Sequence, residues 1–553
     1  MNNLIGKRKI KTAFAGAVIG AIAFLILYGI TPLNVTNDSW ILQGYDELDI
    51  LQHYAGWMHF RNSPWTFPLM KAETLAYPTG TIVSFTDSIP LMALVFKLFA
   101  NILPNTFQYF GIFTLMCYML QGLFAALLIE LFVDDEKYVA VAVPFFTFAP
   151  ILMERAFRHT ALGSQWLILA AMYLYFKNRD MENGVTVDIK FTLLTLLSIG
   201  IHPYFLPMVY GIYFFYIVDR IWRNSFEIRY IVKRVVLLII SLVVTVAEGY
   251  ILGTLGVNET RRAGYSVYSM NLNALWNPTS VGGYKWSLFL AKQNQFSGQY
   301  DGFNYIGLGI LFAVVGCAIY IISMFDMSKI KLFIKKYISI IFLSLCFTVF
   351  AVTNVITFNS VAITIPIPEY LVNLCSIFRA SGRLFYPVYY LVILFVIVFI
   401  YNNLKVKNSK KVIIISLILC LQLGDMLPVI LGKHLHFLNE PQHTIIDDSY
   451  LQEQIKGKEL VVSMLSADDF ELVCFAGKNN IATNRSCANT GDYSYAFSMG
   501  AMEYEKVVKG EFEKDKLYVT TDPLAVAELK DILASNTDAT LYETGRFLFV
   551  VPN

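Results

Sequence analysis

Residues 13–30 form an uncharged apolar run long enough to cross a bilayer, and ten further apolar stretches follow it along the chain. A membrane helix needs about 20 such residues, and lipid tolerates only segments whose backbone groups are bonded internally. The fold class this predicts is mainly α, a polytopic helical membrane bundle. Composition agrees: 56% of the residues are hydrophobic and 15% charged, where soluble domains carry about 25% charged residues. Many Phe and Tyr suit lipid-facing surfaces and interfacial belts, and this chain has 43 and 33 of them. A net charge of +2 gives no reason to expect a nucleic-acid partner.

Charge placement orients the bundle. Lys7, Arg8, Lys9 and Lys11 precede the first run, no small-residue cleavage site follows it, and it reads as a retained span with a cytoplasmic N-terminus. Basic loops at 177–190, 219–234, 326–336 and 402–411 are expected in the cytoplasm. They share one side only if the apolar segment 89–103, with Pro90 and Lys97, lies flat on the outer surface. About eleven spans result: 13–30, 106–131, 138–152, 160–176, 191–201, 204–219, 233–253, 304–324, 337–354, 384–401 and 412–430. The pair divided by His202-Pro203 reads as half-length helices, which need burial in protein or a polar cavity and hint at a site near His202.

The expected organisation is a membrane domain, 1–431, and a soluble extracytoplasmic α/β domain, 432–553. Long outer loops cover 31–105, 254–303 and 355–383. In the tail, 460–465, 517–521 and 546–551 alternate like strands and 523–533 reads as a helix. Cys117, Cys317, Cys346 and Cys420 lie in apolar runs and read as buried thiols, whereas Cys474 and Cys487 could pair in an oxidising compartment. No internal repeat, nucleotide-binding glycine loop, nucleophile elbow or zinc spacing is present; His434-x-His436 reads as interfacial.

Polar chemistry concentrates outside. In the first outer loop Asp46, Asp49 and His53 fall at i, i+3 and i+7, on one face if helical, with Trp57, Arg61 and Asp87 further along. A carboxylate beside an imidazole among aromatic rings suits sugar handling; a solvated amphipathic helix is the plainer reading. Cations also stand where outer loops are usually poor in them: Arg155, Arg158 and His159, then Arg261 and Arg262, then Arg379 and Arg383 at the mouth of a span. Arginine suits bidentate phosphate contacts, although snorkelling to lipid headgroups would also place it there. Trp276 and Tyr305 belong to a further polar-aromatic stretch that either binds carbohydrate or covers the core.

The strings 49–57 (DILQHYAGW), 86–91 (TDSIPL), 158–162 (RHTAL), 301–309 (DGFNYIGLG) and 378–383 (FRASGR) occur in order. With the long acidic first loop, they resemble the GT-C glycosyltransferases, and most closely a large bacterial branch of GT-C-like multi-span proteins without an assigned substrate. The resemblance covers most of residues 1–430. It implies an inverting membrane enzyme (a glycosyltransferase of the hexosyl or pentosyl class) that moves a sugar from a polyprenyl-phosphate donor to a glycan, lipid or protein of the cell envelope. It implies Asp49 as the base with Asp46 as rival, because Asp46-Glu47 and Asp49 leave the family's acidic motif ambiguous. Arg379, Arg383, Arg158 and His159 then face the donor phosphate, and His53, Trp57, Arg61, Asp87, Trp276 and Tyr305 the sugar or acceptor. No cofactor is required, although Asp49, Asp87 and Glu154 could hold a divalent metal. Competing expectations are a transporter or flippase of lipid-linked glycans and a non-catalytic envelope-assembly scaffold.

Overall fold

The computed structural model describes residues 2–42, 49–180, 185–223, 227–256, 264–438, 444–465, 470–488, 494–534 and 536–553. The protein is mainly helical. Among the described residues five helices are long and apolar enough to cross a membrane: Arg8–Tyr28, Phe110–Glu130, Ile228–Leu252, Met327–Val352 and Ser381–Asn403. A sixth is the pair Asn408–Asp425 and Leu427–His436 if its 56° bend counts as one span.

The first helix packs along Phe110–Glu130 through small residues. A Cβ on Gly20 would sit 2.0 Å from the Tyr118 carbonyl oxygen, and one on Gly122 would sit 2.1 Å from that of Gly16. Lipid supplies no hydrophobic drive between helices, so close backbone approach at small residues does the packing. The Tyr28 and Tyr118 hydroxyls meet at 2.9 Å on the same interface.

Two local expectations are corrected. Residues 138–152 do not form one helix but three short ones, Glu136–Ala142, Pro144–Thr147 and Pro150–Arg155, interrupted where Pro144 and Pro150 cannot donate backbone hydrogen bonds. The helices flanking His202-Pro203 are not half-length: Thr186–Ile201 and Phe205–Arg223 recruit polar ends beyond their apolar runs. Helix Leu427–His436 runs through position 432, and His434 Nδ1 lies 2.9 Å from the Ile26 carbonyl. The segment 89–103 contains the eight-residue helix Pro90–Lys97, about 12 Å long and too short to cross. Its Lys97 is buried, with Nζ 4.0 Å from the Phe60 ring centre.

Loops assigned to one side by charge meet one another. Arg179 pairs with Asp219 at 3.4 Å, Arg223 pairs with Asp180 at 2.7 Å, and Arg223 also donates to the Lys336 carbonyl at 3.4 Å. These contacts join three of the basic loops. At the first helix's basic end, Arg8 meets Glu130 at 3.1 Å and Lys11 meets Glu136 at 2.9 Å.

Residues 460–552 carry a five-stranded mixed sheet in the order Ala482–Thr483, Leu460–Ser463, Lys516–Thr520, Phe547–Pro552 and Ala539–Thr544. The first three strands are parallel and the rest antiparallel. Helix Pro523–Leu533 is capped by the Asp522 side chain. Thr74–Tyr77 of the first long loop joins this sheet's edge: Tyr77 N–H donates to the Thr483 carbonyl at 2.9 Å and Thr483 N–H to that of Thr74 at 2.9 Å. Cys474 and Cys487 are both buried and form no disulfide with each other; Cys346 and Cys420 are exposed on their helices rather than buried.

Candidate functional site

Helix Asp49–Asn62 begins with Asp49 in its first turn and places His53 one turn on. The ring of His53 is 1% exposed. Gly56 on the same helix lets the turn Val83–Thr86 lie against it, since a Cβ there would meet Thr86 Oγ1 at 2.0 Å. Ser88 Oγ donates to the His53 carbonyl at 2.6 Å and locks turn to helix. Between them Asp87 adopts a left-handed conformation (φ 59°, ψ 21°), which Asp tolerates better than most residues, and its carboxylate faces the histidines.

Three imidazoles surround that carboxylate. His53 Nε2 lies 3.7 Å and His159 Nδ1 3.6 Å from Asp87 Oδ2, and His202 Nε2 lies 3.3 Å from Asp87 Oδ1. Two of the rings are oriented from outside: His53 Nδ1 sits 3.2 Å from Thr160 Oγ1, and His202 Nδ1 accepts the Tyr204 N–H at 3.2 Å. Asp49 stands at the more open rim, its side chain 24% exposed, 3.8 Å from His159 Nδ1 and 3.9 Å from Arg158 Nε.

Behind the histidines lies a buried ion network. Glu154 accepts from Arg158 at 2.8 Å on one oxygen, and its other oxygen lies 2.7 Å from Arg155 Nε, which donates to Tyr386 OH at 3.0 Å. Asp301 receives Arg155 at 2.6 Å and Arg383 through both oxygens, at 2.9 and 2.8 Å. Burial raises the Asp87 carboxyl to about 6, with Arg383 and Arg155 opposing. Burial lowers His53 to about 3, and burial with the nearby arginines holds His159 well below the usual imidazole range. For Asp301 the order reverses: burial pushes up, but Arg383 and Arg155 win and hold it at about 2. Burial therefore favours the uncharged form of His53, His159 and the Asp87 carboxyl.

The structure brings Asp49, His53, Asp87, Arg158, His159 and, through Asp301, Arg383 to one place. It redirects the others. Trp57 is fully buried and donates to the Phe107 carbonyl at 3.1 Å. Arg61 donates to the Pro104, Ala100 and Leu103 carbonyls, and Tyr305 OH to Asp425 at 2.5 Å. These three hold loops and helices together. Trp276 packs near Phe358, ring centres 6.4 Å apart. Glu154 lies outside the His53–Asp87–His159 group, with Arg155 and Arg158 beside its carboxylate at 2.7 and 2.8 Å. Arg383 serves Asp301, while Arg379 lies 5.4 Å from the Tyr268 ring centre. Asp46, Arg261 and Arg262 lie outside the described residues.

Sequence reasoning missed Asp301 and Arg155 as partners and left His202 as a hint. A carboxylate in 301–309 near two arginine-bearing segments was the available signal.

Residues 17–427 match the model of the family described as Domain of unknown function (DUF6311), and the chain belongs to that family. No curated protein matches the sequence.

Proposed function

We propose that the protein is an inverting membrane glycosyltransferase of the GT-C type, acting on the outer face with a polyprenyl-phosphate sugar and a cell-envelope acceptor. The observation that carries this is the convergence of Asp49 and Asp87 on His159, beside Arg158, within loops that charge assigns to the outside. Asp49, at the rim, takes the acceptor hydroxyl proton. The hydroxyl oxygen forms a bond to the anomeric carbon, the bond from that carbon to the phosphate oxygen breaks, and the electron pair leaves on polyprenyl phosphate. Pre-placed cations favour such a step because charge develops on the leaving phosphate. Arg379, with no carboxylate partner among the described residues, is the phosphate contact; Arg383 is a positioning residue through Asp301.

This reading takes the bundle as about eleven spans with a cytoplasmic N-terminus and the 432–553 segment as an extracytoplasmic α/β domain. The pairing of Thr483 with Thr74 and Tyr77 supports placing that segment and the first loop on one side. The test is single-turnover assay of the purified chain with polyprenyl-phosphate sugars and envelope glycans. Release of free polyprenyl phosphate with sugar on the acceptor supports the reading. Transbilayer movement of intact donor without transfer replaces it with the flippase.

A further inference from the structure

We propose that His53 Nε2, His159 Nδ1 and Asp87 bind one divalent transition-metal ion of the zinc class, with His202 holding the second oxygen of Asp87. The three ligand atoms lie within 4.8 Å of one another. A tetrahedral ion with bonds near 2.0–2.1 Å separates its donors by about 3.4 Å. The Asp87–histidine separations of 3.6 and 3.7 Å are close to that edge and too long for hydrogen bonds.

A second observation is independent of the spacing. Among the described residues His53 Nε2 is buried with no hydrogen-bond partner, and it aims at Asp87. An orphaned buried ring nitrogen is costly unless something binds it. Its other nitrogen is held by Thr160 Oγ1, the arrangement that fixes a ligating imidazole. His202 Nε2, 3.3 Å from Asp87 Oδ1, does the same for the carboxylate.

Charge allows a dication here. Around the site four carboxylates (Asp49, Asp87, Glu154 and Asp301) meet three guanidiniums (Arg155, Arg158 and Arg383). Two imidazoles and one carboxylate favour zinc or a similar borderline ion over magnesium or calcium, which prefer all-oxygen shells. Three protein ligands leave a coordination position open beside Asp49. The site goes beyond the transferase reading and does not rest on it.

The experiment is metal analysis of the full-length chain in detergent, stripped with a chelator and titrated with Zn²⁺ alone, then with Co²⁺ for its visible spectrum. Wild type should take up one equivalent of zinc, unaffected by excess Mg²⁺, and show a low-symmetry cobalt band. His159→Ala and Asp87→Asn should each weaken zinc binding at least about tenfold with an unchanged melting curve, and His434→Ala should bind like wild type. If His159→Ala misfolds, Asp87→Asn and His202→Gln decide by the same titration. Wild type without stoichiometric zinc, or Asp87→Asn binding as tightly as wild type, overturns the proposal. Since no donor lipid is present, loss of the metal site and loss of the transferase reading are separate results.

Discussion

Lys478 Nζ reaches Asp38 at 2.6 Å across 440 residues of sequence, tying the helix Phe470–Lys478 to the first long loop. Asp38 also accepts from Tyr54 OH at 2.7 Å, and His59 Nε2 meets the Val473 carbonyl at 3.0 Å nearby. Lys478→Ala should cost about 2 kcal/mol of local stability, the range for a hydrogen bond to a charged group. Amide exchange in Phe470–Lys478 should then accelerate about thirtyfold. Exchange at the wild-type rate would mean the pair contributes nothing to docking.

Asp49→Asn should keep the fold and lose at least about a hundredfold in transfer rate, the scale of a general base. Asp46→Asn should lose less. Rates measured with saturating donor decide the ranking, and a wild-type rate in Asp49→Asn would remove it from the mechanism.

The two arginines of 378–383 should separate cleanly. Arg379→Ala should weaken polyprenyl-phosphate binding about tenfold and leave the melting temperature in place. Arg383→Ala should instead lower stability by about 3 kcal/mol, because Asp301 stays buried with one guanidinium fewer. Lipid binding and thermal melting of both variants provide the comparison; interchangeable effects would contradict the separate roles.

Acid should act on the same network. Asp301 is held at about 2, below its ordinary 3.8. Its ion pairs therefore contribute fully above about pH 4, and that contribution falls away as pH drops through about 2. Melting temperature between pH 5 and 2 should fall more steeply in wild type than in Asp301→Asn. Parallel curves would show that another group carries the acid lability.

Topology can be checked with single cysteines. Ile102 is 80% exposed and Trp222 63% exposed. A membrane-impermeant thiol reagent outside intact cells should label Ile102→Cys and spare Trp222→Cys. Lys97 is a poor reporter because it is buried against Phe60 and Trp65. Equal labelling would undo the flat placement of 89–103.

The membrane character and the strand-like stretches of the tail were legible because they depend on local periodicity. Strands Leu460–Ser463, Lys516–Thr520 and Phe547–Pro552 fall on the three alternating segments. Asp49, His53, Arg158 and His159 were legible as chemistry because charges at a membrane edge are costly. The quartet of His53, Asp87, His159 and His202 was not, since its members come from four separate segments and share no spacing motif. Nor could sequence show that Trp57, Arg61 and Tyr305 bond to the fold itself: an amphipathic side chain looks the same on a binding surface and on a buried carbonyl.

The left-handed turn at Asp87 narrows what that position can become. Ile89, two residues on, is also left-handed at φ 53°, a conformation that costs a β-branched side chain about 1–3 kcal/mol. The turn thus already carries strain, and a residue at 87 that resists the left-handed region would add to it. Asparagine and glycine accept that backbone, and each is one base change away from an aspartate codon. Drift at this position would therefore pass through them, discarding the carboxylate while preserving the architecture.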